Sequence, residues 1–490
     1  MREPYARTVD PHVVISGSRD LPGEIYRNLR AAILDGHIVG GERLPATREL
    51  AVRLNVSRTT VATAYDRLIS EGYATGRVGS GTYVEANVAT RDGRPAQPRR
   101  ALRPRRAWES VPLPAVFRVE HPEFDFRAGV PDARLFPYDE LRRLTARQFR
   151  SPAVGSGVYG EPAGHLGLRE AIARHVGVSR GVRAVAEDII VTNGTQQAVD
   201  IIARVLLKPR DRVAVEDPGY SPLRLLFEAI GARVTAVPVD DEGLVVNALP
   251  TQTRLVYVSP SHQFPLGMSM SLPRRRALIA WAADHDAAVV EDDYDSDFRY
   301  GAKPIEALQT LDKSGRVIYV GSFSKTMLPT LRLGFVIVPE SLRIAAQSAK
   351  FLTDWHTSLP LQAALATFID DGLFARHVRR MRTAYQGRHE KIVEVLARDF
   401  EDELAVIPSS VGLHVSAIAR TASVDQIATL ARVASQAGVE CFPLALFSAG
   451  DNPRAGLLLG YGAIDTDQIE PGLNRLKGCF AAMDERGSRG

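Results

Sequence analysis

The chain has 490 residues, too many for one ordinary hydrophobic core, so two or three domains are expected. With 45% hydrophobic and 24% charged residues it reads as globular, and its two cysteines, Cys441 and Cys479, exclude a disulfide framework and a cysteine-rich zinc site; a reducing, cytoplasmic setting and no metal are expected. A net charge of +4 is too small to argue for nucleic-acid binding, so that argument must rest on local features.

The first twenty residues are mixed and charged, with no apolar core of signal-peptide length, and no run of about 18 apolar residues follows anywhere, so no membrane span is expected. Residues 20–86 read as a short helical pattern ending in a Gly-rich hairpin. Pro22 suits a first helical position and Gly36 the residue past an end, which predicts a helix over Pro22 to Asp35 with Ile25, Leu29, Ala32 and Ile33 inward. Thr47 is expected to cap a second helix, Arg48 to Leu54, and Asn55 to make a tight turn. Ser57 should then cap a third, Arg58 to Glu71, whose inner face is Val61, Ala64, Tyr65 and Leu68. Two helices joined this tightly fit a helix-turn-helix. The exposed start of the third would offer Ser57, Arg58, Thr59 and Thr60, short hydroxyls and one guanidinium suited to phosphates and base edges. Two short strands around Gly76 to Gly81 make a wing that carries Arg77, and Gly79 and Gly81 would let its backbone approach a groove.

The segment Leu44 to Ala51, followed by Val56 to Val61 and the Gly-rich wing, resembles the winged helix of the GntR regulators over about 65 residues. The resemblance implies binding to double-stranded operator DNA, with Arg43, Arg48, Arg58, Thr60 and Gly79 near phosphates and base edges.

Residues 87–121 lack hydrophobic periodicity, and between Arg91 and Arg106 seven arginines face a single acid, Asp92. Pro95, Pro98 and Pro104 interrupt the run, so a semi-extended linker is expected. From 122 to 485, short β-branched runs alternate with helical patterns, the signature of an α/β domain with a mostly parallel sheet.

Five of the expected strands end in polar clusters: Asn193 to Gln197, Glu216 to Tyr220, Ser259 to Gln263, Glu291 to Tyr294 and Gly321 to Lys325. Ligands of open α/β sheets sit at such carboxyl ends, so these five should converge on one crevice. The residue types define its chemistry. Gly194 and Thr195 open a helix and can cradle a phosphate, with Ser322, Ser324 and Arg332 adding hydroxyl and guanidinium contacts. Lys325 is placed to form a Schiff base with an aldehyde, and Asp292 to keep a pyridine nitrogen protonated. Tyr294 would reach the ring hydroxyl and Tyr220 would stack on the ring. Singly, each of these is an ordinary surface, capping or turn residue; the order and combination carry the reading.

Ser322-Phe323-Ser324-Lys325, with Arg332 seven residues on, resembles the signature of the fold-type I, class I/II aminotransferases from about Phe124 to residue 480. That implies pyridoxal 5'-phosphate bound as an internal aldimine on Lys325, and a homodimer in which the Tyr159 to Gly164 loop reaches the neighbouring subunit's cofactor. A winged helix, a linker and such a domain together resemble the MocR/GabR subfamily of GntR regulators, as do the segments Glu216 to Tyr220, Ser261 to Pro265, Glu291 to Asp295 and His377 to Tyr385. The chain departs from ordinary aminotransferases twice. Phe264-Pro265-Leu266-Gly267 replaces their Asn-Pro-x-Gly, leaving the ring-contacting Asn absent or replaced by Gln263 or His262. Ser221 and Pro222 follow Tyr220 where amino-acid-binding relatives tend to place an Arg, so Arg454 is the candidate clamp for an effector carboxylate.

The expected function is transcription regulation by a cofactor-bearing dimer that answers to an amine, an amino acid or the vitamer itself. A working aminotransferase with a DNA-binding appendage is the main alternative. A pure dimerising scaffold is the third, and it has no need of Lys325, Asp292 and Arg332 together.

Overall fold

The structure, a computed structural model, describes residues 20–77, 79–86, 102–109, 111–112, 122–150, 157–300, 306–450 and 452–487. It divides into two compact units, residues 1–104 and 105–490.

The first unit holds α1 (Leu21–Leu34), α2 (Thr47–Leu54) and α3 (Arg58–Ser70), followed by the antiparallel strands β1 (Ala74–Arg77) and β2 (Gly81–Val84). Its core is the apolar stripe of the three helices, Ile25, Leu29, Ile33, Leu50, Val61, Tyr65 and Leu68, closed by Ala74 and Val84 from the wing. Asp20 caps α1 by accepting from the Gly23 amide at 3.0 Å. Asn55 adopts the left-handed conformation (φ 53°) that the tight turn requires, and Ser57 caps α3 by accepting from the Thr60 amide at 3.1 Å. Thr47 is no cap. It is the first residue of α2, the cap position belongs to Ala46, and the Thr47 hydroxyl instead accepts from Arg58 Nε at 3.4 Å.

Of the expected linker, only 102–109 and 111–112 are described. Residues Arg106–Glu109 there form one helical turn, so this stretch is not simply extended. Arg103, Arg105 and Arg106 fall within it and are exposed, while Arg91, Arg94, Arg99 and Arg100 of that run, and Val78 in the wing, lie outside the described residues.

The second unit is built on an eight-stranded sheet in the order β4 (Ile189–Thr192), β11 (Gly334–Ile337), β10 (Val317–Ser322), β9 (Ala288–Asp293), β8 (Thr253–Val258), β5 (Arg212–Asp217), β6 (Arg233–Asp240), β7 (Gly243–Leu244). From β10 to β6 every pairing is parallel. β11 runs against both β10 and β4, so β4 points the same way as the parallel set. The carboxyl ends of β4, β5, β8, β9 and β10 therefore share one edge, where ligands of open α/β sheets bind. The strands are near-continuous β-branched runs because helices cover both faces, producing one apolar layer around Val199, Ile202, Phe227 and Tyr257 and another around Val237, Val256, Leu278 and Val289.

A smaller layer follows in sequence: β12 (Leu404–Val406), β13 (His414–Ala419), β16 (Gly456–Gly460) and β15 (Phe442–Pro443), an antiparallel sheet. The helices Leu373–Asp399, Val424–Gln436 and Thr466–Gly487 share its core through Tyr385, Ile392, Leu430 and Leu473. β3 (Phe124–Asp125) ties the start of the domain to β14 (Val439–Glu440) in a parallel pair. No helix of the described residues is long and apolar enough to cross a membrane.

Candidate functional site

The cleft at the strand ends is built from β9 outward. Successive side chains of a strand point to opposite faces, which sorts its three carboxylates. Glu291 and Asp293 share one face and hold structural partners, although Asp293 Oδ1 is buried with no partner among the described residues. Glu291 accepts from the Leu308 and Gln309 amides at 2.9 and 3.0 Å, and Asp293 accepts from Arg180 Nε at 2.7 Å and the Tyr319 hydroxyl at 2.5 Å. Burial works against the Asp293 charge, but Arg180 and the surrounding donors hold its pKa below the ordinary value. Asp292 faces the other way. Its Oδ2 accepts from the Tyr257 hydroxyl at 2.5 Å, while Oδ1 is buried with no partner among the described residues. Burial pushes its pKa up to about 7, against the pull of the Tyr257 hydrogen bond.

Asp292 thus lies within β9 rather than on the loop beyond it, paired in register with Val320. The polar ends of β5 and β10 are likewise strand residues, with Glu216 and Ser322 inside the ladders. Glu216 repeats the pattern of Asp292. Its Oε2 accepts from the Ser259 amide and hydroxyl at 3.0 and 2.7 Å, its Oε1 is unpartnered among the described residues, and burial pushes its pKa up to about 7.

Lys325 stands just past β10, where the Ser324 amide donates to Ser322 Oγ at 3.1 Å and tightens the turn. Its Nζ donates to the Gly129 carbonyl at 2.7 Å. Burial lowers its pKa, and the charges of Asp295 and Asp292 oppose that. Gly194 (φ 85°) is the N-cap of the helix Thr195–Leu206. A Cβ there would lie 2.9 Å from the Arg332 guanidinium, so only glycine lets that cation close on the helix start. Arg332, itself left-handed (φ 51°), donates to the Asn193 carbonyl at 2.7 Å. The helix amides, Arg332 and the Ser322 and Ser324 hydroxyls gather where β4, β11 and β10 meet in register, Thr192 to Gly334 to Ser322.

These features fit pyridoxal 5'-phosphate. The free Asp292 oxygen suits a ring N–H, the open Gly194 start with Arg332 suits a phosphate dianion, and the Lys325 amine suits the aldehyde.

The aromatic residues are arranged differently from the sequence expectation. Tyr220 meets Phe264 edge to face at 5.9 Å, and Phe264 meets Tyr294 at 6.1 Å and Phe447 at 5.0 Å. Gln263 cannot stand in for the missing Asn, since its Nε2 donates to the Pro218 and Phe264 carbonyls and its Oε1 accepts from the Leu266 amide. His262 sets Nδ1 on Asp295 at 2.9 Å, while its Nε2 is buried with no partner among the described residues. The Tyr294 hydroxyl donates to the His262 carbonyl at 3.0 Å. Tyr159 lies on the surface, 71% exposed, stacked on Trp355 at 4.2 Å. Arg454 is exposed and donates to the Val239 carbonyl at 3.0 Å.

The structure therefore brings Lys325, Asp292, Tyr220, Tyr294, Gly194, Thr195, Ser322, Ser324 and Arg332 to one sheet edge and leaves Tyr159 on the surface. Sequence reasoning missed Tyr257, Phe264 and the His262–Asp295 pair. Tyr257 had a signal, being the polar interruption of an otherwise aliphatic Leu255 to Val258 run; the pair had none, because its meaning depends on contacts far apart in sequence.

On the first unit, Arg48, Ser57, Arg58, Thr59, Arg77 and Gly79 are exposed, while Arg43 and Thr60 are half-buried. Arg48 and Arg58 line one open depression with Ala51, Val52, Asn55 and Val56. At the wing, Arg77 lies over the Tyr83 ring at 4.6 Å, and a Cβ at Gly81 would meet the Arg43 guanidinium at 2.8 Å. Gly79 (φ 77°) forms the tip, with open space where a side chain would be.

Residues 134–456 match the family Aminotransferase class I and II, and residues 21–84 match Bacterial regulatory proteins, gntR family. The chain is 37% identical over 97% of its length to the "Probable rhizopine catabolism regulatory protein MocR" of Rhizobium meliloti, covering 97% of that protein. It is 30% identical over 94% of its length to the "HTH-type pyridoxine biosynthesis transcriptional regulator PdxR" of Corynebacterium glutamicum, covering 95% of that protein. Among solved structures, the kynurenine aminotransferase of Pyrococcus horikoshii, in complex with PMP, superposes with a TM-score of 0.67 at 28% identity, over 74% of this chain and 90% of that one.

Proposed function

Because the chain belongs to the MocR/GabR type of GntR regulators, joining a helix-turn-helix to a pyridoxal-phosphate-binding domain of aminotransferase fold, we propose that its cleft senses a small amine, an amino acid or the vitamer itself and passes the result to operator DNA. The boundaries proposed are 20–86 for the DNA-binding domain, 87–121 for the linker and 122–485 for the sensing and dimerising domain. A regulator that acts on chromosomal DNA would work in the cytoplasm, and that location is part of the proposal. Arg43, Arg48, Ser57, Arg58, Thr59, Thr60, Arg77 and Gly79 form the DNA-reading surface in this proposal.

In the cleft, Lys325 would bond the cofactor's aldehyde carbon, Asp292 would hold the ring nitrogen, and Tyr257 would fix the Asp292 rotamer. Gly194, Thr195, Ser322, Ser324 and Arg332 would hold the phosphate, Tyr220 would cover the ring face, and Tyr294 would border the ring hydroxyl. When bound, the cofactor supplies an electron sink for carbon–hydrogen chemistry at an amine. Tyr159 would complete the cleft of a second copy in a homodimer.

The observation that carries the reading is the coexistence in one chain of an exposed, capped α3 start and a cleft with Lys325, a half-free Asp292 and an open phosphate cradle. Turnover needs a substrate carboxylate held in a fixed pose. The guanidiniums nearest in sequence to Tyr220 and β16 are engaged elsewhere, Arg224 with Glu228 and Arg454 with Val239. Slow half-transamination at most is therefore expected, and Arg454 would have to leave Val239 to clamp an effector. DNA binding to the region upstream of the native locus, measured with and without pyridoxal phosphate and candidate amines, tests the proposal. A change in affinity or footprint supports it. Steady turnover of an amino acid and a keto acid, with DNA affinity indifferent to the cofactor, would favour the enzyme instead.

A further inference from the structure

Lys350, in the helix Arg343–Asp354, has no solvent exposure, and none of the cofactor contacts above uses it. Its ammonium has three hydrogens and finds three acceptors: Asp354 Oδ1 at 2.5 Å, Gln197 Oε1 at 3.1 Å and Thr357 Oγ1 at 3.3 Å. A buried ammonium is tolerated when paired in this way, and the pairing fixes the Asp354 carboxylate in turn. Asp354 ends its helix, where an acid works against the helix dipole, so helix stability does not account for it. Its other oxygen, Oδ2, accepts from Asn193 Nδ2 at 2.7 Å and from Gln197 Nε2 at 2.8 Å. Gln197 Oε1 also accepts from the Asn193 backbone N–H at 2.8 Å. The Asn193 carbonyl accepts from Arg332 at 2.7 Å. Asn193 is thus held at its N–H, its side-chain amide and its carbonyl, and Gly194, the open helix start, follows it directly.

We propose that Asp354, held by Lys350, is the positioning residue of the phosphate cradle: it sets Asn193 and, through the Asn193 carbonyl, the Arg332 guanidinium over the Gly194 helix start. The inference rests on the reading of the cleft as a cofactor site, and it concerns the phosphate monoester alone. The approach is close enough for a small displacement of the turn to matter, since the Cβ that Gly194 lacks would lie 2.9 Å from the guanidinium. What the network contributes is orientation in advance, because the helix amides and Arg332 must meet one dianion together. A pair that served the helix alone would need no bond to Asn193. The same carboxylate is tied to an indole. Trp355 follows Asp354 with φ 64°, a backbone conformation costly for a residue with a Cβ. It is held there by its Nε1 bond to the Gly160 carbonyl at 3.2 Å and by its stack on Tyr159 at 4.2 Å. A shift of Asp354 when the cradle fills therefore reaches the Trp355 ring within one residue, which makes that ring a reporter on the cradle.

The test uses the full-length protein stripped of cofactor, with pyridoxal 5'-phosphate and pyridoxal, which lacks the phosphate, as paired probes. Asp354→Asn, which cannot serve Lys350 and Asn193 through two charged oxygens, should weaken pyridoxal 5'-phosphate binding about tenfold and leave pyridoxal binding within about twofold. Asn193→Ala leaves the Lys350–Asp354 pair intact; it should have the same selective effect and serves if Asp354→Asn does not fold. In a Trp108→Phe, Trp281→Phe background, where Trp355 is the one tryptophan left, inorganic phosphate should change the emission of the parent, and Asp354→Asn or Asn193→Ala should remove that change. Equal loss with both probes, as a general loosening of the fold would give, or loss with neither, would overturn the proposal. So would a Trp355 emission in the parent that ignores phosphate. The phosphate titration needs no cofactor, so it still decides the proposal if the parent fails to bind pyridoxal 5'-phosphate on Lys325, the result that would sink the reading of the cleft.

Discussion

The two units display their chemistry in opposite ways. On the winged helix the candidate reading residues stand in water, and the devices that place them are local: the Asn55 turn, the Ser57 cap and the Thr47 hydroxyl beneath Arg58 lie within twelve residues. In the cleft, Gly129, Gly194, Asp292, Lys325 and Arg332 come together only through the sheet and its crossovers. A surface assembled locally can be altered at the cost of binding alone, whereas a buried cleft ties ligand affinity to the stability of the fold, because its unpartnered carboxylate is expensive until something meets it.

That contrast can be broken in four places. The largest effect is expected at Lys325. Borohydride reduction of the loaded protein followed by peptide mapping should find the cofactor on Lys325, and Lys325→Ala should abolish the covalent link entirely; a reduced adduct on another lysine contradicts the reading.

Asp292→Asn comes next. The native pKa of Asp292 is raised to about 7 by burial, so the folded cofactor-free protein holds a proton that the unfolded chain has released. Its stability should accordingly fall as pH rises from about 4 to about 7 and level off above. The Asn variant should lack this loss and be more stable than the parent at pH 8 by on the order of 2–4 kcal/mol, while holding cofactor more weakly. Denaturant titrations at pH 5 and pH 8 measure it, and parallel pH dependence in the two proteins would remove Asp292 as the cause.

Arg58→Ala should cost about 1–3 kcal/mol of specific DNA binding if it reads a base; if it meets only phosphate, the loss should be uniform over sequences and the salt slope should fall by about one. Because Arg58 is exposed, the melting temperature should hardly move. Ser57→Ala should be the smallest change, about 1 kcal/mol of winged-helix stability from the lost cap on the Thr60 amide. Equal stability in thermal unfolding would mean that water replaces the serine.

The same contrast explains what the sequence made legible. Caps, turn residues and the period of an apolar stripe act over a few residues, so α1 to α3, the Asn55 turn and the wing could be placed from the chain alone. Even there Thr47 misled, because a Thr at a helix start can be cap or first residue, and only the Arg58 contact decides its use. In the large domain the strand cores stood out as β-branched runs, but their ends did not: the buried Glu216 and Asp292 and the half-buried Ser322 continue the ladders while looking like loop residues. The division of labour among Glu291, Asp292 and Asp293 follows from strand alternation once the strand is known to extend through them. The stand-in sought for the missing Asn is not Gln263, whose amide is claimed by backbone partners, whereas His262 spends only Nδ1 on Asp295 and keeps a buried, unpartnered Nε2.

The central claim is that cleft and DNA surface communicate, and linkage makes it measurable in both directions. If cofactor or effector changes operator affinity by some factor, operator DNA must change cofactor or effector affinity by the same factor. The decisive measurement is this cycle on the full-length protein: operator affinity with and without pyridoxal phosphate, then pyridoxal phosphate affinity with and without operator, repeated with Lys325→Ala. The account predicts equal factors that differ from one in the parent and collapse towards one in the variant. Factors of one in the parent, with cofactor bound on Lys325, would show two domains that share a chain but not a signal.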